Sequence, residues 1–308
     1  AATVIENTWS YNISGLVDGV NGITVTATDR VGNAATTIAN IILDATIPAI
    51  TLNQVTTPTK QSSQTISGTI ENAISITVTT NTGASDGTAT IIGNTWNYTI
   101  TGLVEDSNEI TVAAINTAGK TAIVIASIAS DTTAPTGSVS INNNAAYTNS
   151  TSITITLSCT DSGSGCAEMQ LSSDGSTWET PESYVTSKNR TLDIGDGEKA
   201  AYARFKDNAG NWSTSEVKDT ISLDTTPPSV ISTIPANGAT NISANTAVTV
   251  TFNESVANAP SSIILKQGDS IIDSTVTYDD SAKTATLTPA SSLSEYTTYT
   301  VAVTTAIR

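Results

Sequence analysis

The sequence predicts an all-β protein in which several β-sandwiches follow one another along the chain. Thr, Ser, Asn, Val and Ile dominate, short stretches alternate between apolar and polar residues, and the apolar spacing of a helix is absent. A third observation is a recurring motif, most complete at residues 205–230: a strand, an Asp-x-x-Gly-Asn turn, a second strand and a linker with Asp and Pro. Repetition of one motif indicates a tandem array of similar domains.

The motif recurs at a regular spacing. Trp96 follows Trp9 by 87 residues, and Leu103 follows Leu16 by the same number. A repeat of about ninety residues fits domains of ordinary size. The turn and linker residues of the three copies are Asp29, Gly32, Asn33, Asp44 and Pro48; Asn116, Gly119, Asp131 and Pro135; and Asp207, Gly210, Asn211, Asp224 and Pro228.

Charge and composition exclude several classes of function. The chain carries 12 Lys and Arg against 28 Asp and Glu, a formal charge of −16 at pH 7. Such a surface repels nucleic acid and anionic membranes and attracts cations. The sequence has no His, which excludes His-containing catalytic triads, His general bases and His-ligated zinc. We therefore expect no enzyme, no nucleic-acid partner and no insertion into a membrane.

We expect four domains, of which the first and the last are incomplete. Residues 1–44 correspond to the C-terminal half of a domain whose front half would precede residue 1, because half a sandwich cannot bury both of its sheets. Residues 45–131 and 132–224 are two complete domains, and residues 225–308 are a fourth that lacks its last strand. About seven short alternating strands per domain are typical of the immunoglobulin-like sandwich. The predicted fold class is therefore tandem immunoglobulin-like β-sandwiches in a linear array.

These motifs resemble those of bacterial Ig-like domains that occur in tandem in very large surface adhesins. The resemblance is carried by the Asp-x-x-Gly-Asn turns, the Leu-Asp linkers, and the Ser-Gly-Leu and Asn-x-Ile-Thr-Val segments, and it covers nearly the whole chain. Residues 227–303 resemble more specifically the Ig-like domain named after a bacterial S-layer protein. The segments that carry this second resemblance are Pro227-Pro228 and residues 235–242, 248–254 and 299–303.

The resemblance implies a non-catalytic stalk or spacer segment of a large bacterial cell-surface or secreted adhesin-like protein, located outside the cell. Its partners would be other copies of the same or similar domains, with a host or surface ligand bound elsewhere in the parent chain. One alternative is an ordered segment of an extracellular filament or sheath, in which neighbouring chains complete the open sandwiches by strand addition. Another is a carbohydrate-binding or spacer region of a secreted enzyme, which would present exposed aromatic platforms.

Three carboxylates are expected to meet where the second domain joins the third. In an Ig-type sandwich the last turn and the loop between the second and third strands lie at the pole where the linker arrives, so Asp207 and Asp161 should face Asp131. Ca²⁺ accepts six to eight oxygen ligands and would offset the repulsion among these carboxylates. The resemblance implies the same ion, because the large adhesins carry calcium between neighbouring Ig-like domains. Alternatively, each Asp only caps its own turn by accepting backbone N–H groups.

The same geometry extends to the other joints. Asp44 would meet Glu71 and Asn116, although Asn116 and Lys120 stand where the pattern has Asp and Asn, which puts a cation there in doubt. Asp224 would meet Glu254 and an acidic turn beyond residue 308. The candidate ligands for structural calcium are therefore Asp29, Asp44, Glu71, Asp131, Asp161, Asp207, Asp224 and Glu254, with Asp29 serving a joint before residue 1.

Cys159 and Cys166 are the only cysteines and flank a Gly-rich loop. An even pair in a chain of secreted character favours a disulfide, which would contribute roughly 2 to 3 kcal/mol by restricting the unfolded state. The alternative, a thiol metal or redox pair, lacks both the two-residue spacing and a His partner.

Two further patterns involve aromatic residues. Trp9 and Trp96 occupy equivalent strand positions, which favours core packing; sugar stacking would require that they be exposed. Residues 172–178, Ser-Ser-Asp-Gly-Ser-Thr-Trp, resemble the Asp-box of sialidases and related β-proteins. That motif braces a hairpin there, so the resemblance implies a structural role here.

Overall fold

The structure is a computed structural model that describes residues 1–82 and 85–304. Strands make up 53% of the described residues and helix 1%, so the predicted all-β class of Ig-like sandwiches in tandem is confirmed. Within the described residues, no helix is long and apolar enough to cross a lipid bilayer.

The chain divides into two compact units. The first comprises residues 1–145, 152–191 and 199–221, and the second comprises residues 146–151, 192–198 and 222–308. Each unit contains several sheets. The division into four domains therefore stays a prediction from the sequence repeat.

The first unit begins with two separate hairpins. Strands β1 (Thr3–Ile5) and β2 (Thr8–Ser10) form one, and β3 (Gly19–Thr28) and β4 (Ala34–Leu43) form the other. β3 and β4 pair along their whole length, and neither pairs with a third strand in the described part of the chain. Most side chains of this second hairpin are consequently exposed on both of its faces.

Residues 49–130 form a complete sandwich of two four-stranded sheets. The sheets have the orders β5-β6-β10-β9 and β12-β11-β7-β8. Alternate residues of the central strands face inward, and they include the fully buried Ile76, Val78, Ile110 and Val112. The strands are β5 (Ala49–Ile50), β6 (Ser63–Glu71), β7 (Ser75–Thr80), β8 (Gly87–Thr88), β9 (Thr90–Ile92), β10 (Thr95–Thr101), β11 (Asp106–Ile115) and β12 (Thr121–Ser130).

Residues 136–223 contain the next group of strands. β13, β15 and β18 form one sheet, and β17, β16, β19 and β20 follow one another in a second. Tyr184 contacts Phe205 edge to face, with ring centroids 5.9 Å apart, and Phe205 is fully buried. The strands are β13 (Thr136–Ile141), β14 (Tyr147–Thr148), β15 (Ser152–Thr160), β16 (Cys166–Ser172), β17 (Glu182–Ser183), β18 (Ser187–Thr191), β19 (Gly197–Asp207) and β20 (Val217–Leu223).

The second unit has its own core. Tyr147 and Thr148 pair in parallel with Ser222 and Leu223. The later strands form sheets of order β21-β22-β26-β25 and β24-β23-β27, around a core that includes Phe252. The elements are β21 (Val230–Ile234), β22 (Val248–Phe252), α1 (Ala259–Ser262), β23 (Ile263–Gln267), β24 (Ser270–Ile272), β25 (Ser274–Asp279), β26 (Thr284–Pro289) and β27 (Thr300–Val303).

Trp9 and Trp96 differ in burial although they hold equivalent positions in the repeat. Trp96 is 1% exposed, and its indole N–H donates to the carbonyl oxygen of Thr51 at 3.1 Å. Trp9 is 54% exposed, so the core role predicted for it is wrong. The physical reason is that β5 and β6, which cover Trp96, have no counterpart among residues 1–44, all of which the structure describes.

Gly68 makes room for Trp96. The two residues lie opposite each other on β6 and β10. A Cβ atom on Gly68 would lie 1.9 Å from the carbonyl oxygen of Thr51 and 2.8 Å from the Trp96 Nε1 atom. Backbone cannot yield as a flexible side chain can, so a larger residue would separate the strand from residue 51.

We therefore expect Gly68→Ala to lower the free energy of unfolding by about 1 to 3 kcal/mol, the usual cost of overpacking. Thermal denaturation followed by circular dichroism would measure the loss. Gly22→Ala is the matched control, because the nearest atom to its Cβ would be the Asn40 Oδ1 atom at 3.8 Å. Equal melting temperatures for Gly68→Ala and the wild type would contradict this account of the Trp96 pocket.

Candidate metal centre

Asp131 begins the linker that follows β12 and is 1% exposed. Its backbone N–H donates to the carbonyl oxygen of Thr59 at 2.9 Å. Its carboxylate accepts the backbone N–H of Thr133 at 3.0 Å on Oδ1 and that of Ser164 at 2.7 Å on Oδ2. A buried carboxylate requires such donors, because desolvation without them is very unfavourable. Asp131 thus connects the end of one sandwich to a loop of the next.

The loop that contacts Asp131 lies between β15 and β16 and is closed by a disulfide between Cys159 and Cys166. Inside it, the Oδ2 atom of Asp161 accepts the backbone N–H of Gly163 at 3.1 Å and of Gly165 at 2.7 Å. The Oδ1 atom of Asp161 is buried and has no hydrogen-bond partner. An unpaired buried oxygen of this kind is unusual and calls for a donor or a cation.

Asp207 ends β19 and begins the Asp-x-x-Gly-Asn turn. Its Oδ1 atom accepts the backbone N–H groups of Gly210 and Asn211 at 2.6 and 2.8 Å, and its Oδ2 atom accepts the Asn211 side-chain amide at 2.7 Å. Gly210 has a φ of +93°, a conformation that favours glycine. The same Asn211 amide donates to the carbonyl oxygen of Asp131 at 2.8 Å. The turn is therefore self-capped and also bonded to the linker.

The structure brings Asp131, Asp161 and Asp207 together. One carboxylate oxygen from each lies within 4.8 Å of the other two, and among the described residues this is the one group of three or more such ligands. Gly163 permits the approach, because a Cβ atom there would lie 2.4 Å from the Asp131 Cγ atom. The carboxylates that accept backbone N–H groups of their turns are the same ones that form the cluster. Turn capping therefore leaves at least one carboxylate oxygen without a hydrogen bond.

Hydrogen bonds favour the charged form of Asp131 despite its burial. Burial raises the pKa of Asp131, but hydrogen bonds from Ser164 and Thr133 lower it by more, and the net pKa lies below its ordinary value. Lys60 contacts the turn that begins at Asp207, where its Nζ atom donates to the carbonyl oxygen of Gly210 at 2.8 Å. Lys60 forms no salt bridge with the three carboxylates; the ion pairs in the described part of the chain lie elsewhere.

The donor set fits calcium. Oxygens that share one Ca²⁺ at about 2.4 Å lie within about 5 Å of one another, as the three carboxylate oxygens do. All the ligands are hard oxygens, which suit Ca²⁺ better than zinc or copper. Water and backbone carbonyl groups usually complete such a coordination shell. Asp161 supplies the oxygen without any competing donor.

The joint at Asp44 has different chemistry. The Asn116 side-chain amide donates to the Asp44 Oδ2 atom and to the carbonyl oxygen of Thr46, both at 2.9 Å. The Asn116 Oδ1 atom accepts the backbone N–H of Lys120 at 2.8 Å. The Glu71 side chain forms no hydrogen bond or ion pair with any described residue. The structure thus brings Asp44 to Asn116 through a direct hydrogen bond, without a cluster of carboxylates.

The remaining predicted ligands are separate from that cluster. The Asp224 Oδ1 atom accepts the Thr226 backbone N–H at 3.1 Å. Glu254 has a buried, unpaired Oε1 atom, but no group of three carboxylates forms around it in the described residues of the second unit. Asp29 is bonded within its own turn, where the Asn33 side-chain amide is the main cause that holds the Asp29 pKa below its ordinary value.

A second acidic residue holds each linker, and we did not predict it from the sequence. Glu105 accepts the Thr132 backbone N–H at 3.1 Å, the Thr132 hydroxyl at 2.8 Å and the Thr133 hydroxyl at 3.0 Å. We call this arrangement the linker clamp. The signal was present, since an acid precedes Asp44, Asp131 and Asp224 by 26, 26 and 28 residues. The equivalent contacts are Asp18 with Ala45 and Thr46, and Asp196 with Thr225 and Thr226.

The segment that resembles an Asp-box forms a compact hairpin end. The Asp174 Oδ1 atom accepts the backbone N–H groups of Ser176 and Thr177, both at 2.7 Å, and these bonds lower the Asp174 pKa strongly. The Arg204 guanidinium lies over the Trp178 ring at 4.4 Å and the Trp212 ring at 5.0 Å. These contacts are those of a structural brace, and Arg204 covers one face of each ring.

Comparison with solved structures gives matches to tandem β-domains at low sequence identity. A tetra-tandem repeat from the extending region of a large adhesion protein is 21% identical, with 97% of this chain and 77% of that chain covered and a TM-score of 0.31. A 1.5-MDa bacterial ice-binding adhesin is 18% identical, with coverages of 68% and 76% and a TM-score of 0.38. The fibronectin(III)-like modules of Clostridium thermocellum CbhA are 16% identical, with coverages of 57% and 94% and a TM-score of 0.36.

No curated protein is significantly similar to the chain. A family model does match its last part, residues 224–308, and the description of that family is a bacterial Ig-like domain. The match includes the segments on which the resemblance to the S-layer-type domain was based. The predicted resemblance to bacterial Ig-like domains is therefore confirmed, and residues 224–308 are the part of the chain that matches the family directly.

Proposed function

We propose that this chain is a non-catalytic structural segment of a bacterial cell-surface or secreted protein, and that calcium stiffens its joint at Asp131. The observation that carries the proposal is the cluster of Asp131, Asp161 and Asp207, with its unpaired buried oxygen. The partners would be neighbouring Ig-like domains, with any surface ligand bound by other parts of the parent chain. The disulfide agrees with an oxidising, extracellular location.

The electrostatics of the cluster support a bound cation. Three carboxylates in close proximity repel one another, and burial of Asp131 and Asp207 strengthens that repulsion because water screens it poorly. A divalent cation would attract all three carboxylates and offset their mutual repulsion. Because Asp131 belongs to the linker while Asp161 and Asp207 belong to the following sandwich, the ion would restrain the linker against that sandwich.

The linker clamp would act independently of metal. Glu105 lies at the end of one sandwich and accepts three hydrogen bonds from the first two residues after Asp131. Glu105 belongs to the preceding sandwich, so it would restrain Thr132 and Thr133 against that sandwich. Asp161 and Asp207 belong to the following sandwich. Clamp and cluster together would hold the start of the linker from both neighbouring sandwiches, which suits a spacer.

The chemistry of the sequence supports a non-catalytic role. Without His, general acid–base work would depend on carboxylates, Lys or Tyr. The carboxylates that converge do so between a linker, a loop and a turn, where they are bonded to backbone N–H groups. This position suits restraint of the chain better than contact with a substrate.

A second candidate function is assembly into an extracellular filament or sheath. The favouring observation is the hairpin of β3 and β4, which pairs with no third strand in the described part of the chain. Ile23 and Val25 are only half-buried there, whereas their repeat equivalents Ile110 and Val112 are fully buried beneath β7. A strand from another copy could occupy the corresponding position by strand addition.

Calcium should stabilise the wild-type chain and not the Asp161→Asn variant. With a Kd of about 10⁻⁴ to 10⁻³ M, 10 mM Ca²⁺ would raise the melting temperature by roughly 5 to 10 °C. Asp161→Asn replaces one charge with a neutral amide, which relieves repulsion. In excess chelator this variant should therefore melt at least as high as the wild type, whereas in calcium it should melt lower.

Differential scanning calorimetry of the full chain in calcium and in chelator would provide these values. Asp29→Asn is the control for the loss of one acidic side chain, because Asp29 occupies the same kind of turn as Asp207 but belongs to no group of three carboxylates among the described residues. It should retain the full response to calcium. A wild-type chain that melts at the same temperature in both solutions would refute the calcium lock.

Glu105→Ala should loosen the linker even in chelator. The loss of charge-assisted hydrogen bonds of about 1 kcal/mol should accelerate hydrogen exchange at the Thr132 amide by roughly fivefold. Exchange followed by NMR would detect the change. Glu109→Ala removes an exposed carboxylate of β11 with no described side-chain partner, so it should leave Thr132 unchanged. Unaltered Thr132 exchange in Glu105→Ala would show that the clamp does not restrain the linker.

The assembly hypothesis predicts self-association of the full chain. Sedimentation velocity over a range of concentrations should reveal oligomers. Val25→Lys should abolish them, because it places a charge on the face of β3 whose counterpart at Val112 is buried. Thr24→Lys, on the opposite face of β3, is the control. A chain that sediments as a monomer at every concentration would eliminate this candidate.

A further inference from the structure

We propose that the disulfide between Cys159 and Cys166 sets the calcium affinity of the joint, by holding the loop of residues 160–165 in the conformation that assembles the three carboxylates. The inference rests on the proposed calcium site and goes beyond it. It assigns to the disulfide a positioning role for the ion, in addition to the stability that any cross-link provides.

The disulfide joins the two sheets at the end of the sandwich where the cluster lies. Cys159 is in β15, which belongs to one sheet, and Cys166 begins β16, which belongs to the other. Their Cα atoms are 6.3 Å apart, and their sequence separation of 7 leaves residues 160–165 between them. Asp161 lies within the loop that this bond closes. The bond therefore fixes both ends of the segment that carries the oxygen without a partner.

The same bond lies next to Asp207. Cys166 is the direct cross-strand partner of Asp207 in the pairing of β16 with β19, and the register shifts immediately after it. Within the loop, the Ser164 Oγ atom accepts the Ala209 backbone N–H at 3.0 Å, and the Ser164 carbonyl oxygen accepts the Asn208 side-chain amide at 2.8 Å. The disulfide thus anchors the loop to the turn that begins at Asp207.

The loop also determines where Asp131 lies. The Ser164 backbone N–H donates to the Asp131 Oδ2 atom at 2.7 Å, and Gly163 is in close contact with the same carboxylate. The short segment between the two cysteines consequently carries Asp161, bonds the Asp131 carboxylate and contacts the turn that holds Asp207. A closed loop of this length has few alternative conformations, so little order remains to be imposed when an ion binds.

Removal of the bond would free the loop in the metal-free state. Calcium binding would then have to order the loop, and the entropy of ordering one or two residues corresponds to a loss of about tenfold or more in affinity. At saturating calcium the loop should be as ordered as in the wild type. The double variant Cys159→Ser with Cys166→Ser removes the cross-link with little change in volume.

The experiment is calcium titration of the full chain by isothermal calorimetry, for the wild type and the double variant, with hydrogen exchange at Gly163, Ser164 and Gly165. We expect the Kd of the variant to rise about tenfold or more. Exchange at the three amides should be faster than in the wild type in chelator and equal to it in saturating calcium. Ile221→Ala, a core truncation in β20, controls for general destabilisation, and its Kd should equal that of the wild type.

The outcomes separate this inference from the calcium proposal. Calcium binding by the wild type with an unchanged Kd in the double variant would overturn the role of the disulfide and leave the calcium site intact. Absence of calcium binding by the wild type would overturn both. If the double variant does not fold, the wild type reduced by a dithiol replaces it: the dithiol supplies two electrons and two protons, yields two thiols and becomes a cyclic disulfide.

Discussion

Burial of the Asp131 carboxylate is the constraint on which the structure around the second linker depends. A charged group excluded from water must be surrounded by donors, and the backbone N–H groups of Thr133 and Ser164 provide them, while the Asn211 amide donates to the backbone carbonyl oxygen of Asp131. These donors lie outside the strands, in the linker, in the loop between β15 and β16 and in the turn at Asp207. The hydrogen bonds that the buried Asp131 carboxylate requires therefore also hold the linker in place. This gives one of the few charged residues of the chain a structural role inside a joint.

Features that depend on neighbouring residues in the sequence or on the general geometry of the fold were predicted correctly, whereas features that depend on other contacts between distant residues were not. The β-class, the turns and the approach of Asp161 and Asp207 to Asp131 follow from local patterns and from the known poles of an Ig-type sandwich. The exposure of Trp9 could not be predicted from its own strand, because burial depends on strands that are distant in sequence. The linker clamp was missed because Glu105 follows no turn motif. Glu105 and Thr132 are 27 residues apart in sequence, and only the folded sheet brings them into contact.

The three linkers share a sequence pattern but not a chemistry. At Asp44 the partner is an amide, Asn116, which donates a hydrogen bond directly. At Asp131 the partners are two further carboxylates, which can only accept. Asp224 has its own turn contact and the clamp residue Asp196. Under the calcium proposal, only the second of these joints would depend on the ionic composition of the medium.

Asn116 and Asp207 occupy equivalent positions and differ by the exchange of one amide nitrogen for one oxygen. Under the calcium proposal, Asp207→Asn would remove one of the three carboxylates at the Asp131 joint, whereas Asn116→Asp would bring only two carboxylates together at the Asp44 joint. Under that proposal, the requirement for an ion depends on several carboxylates at one joint, so it would be lost by one substitution but gained only by more than one.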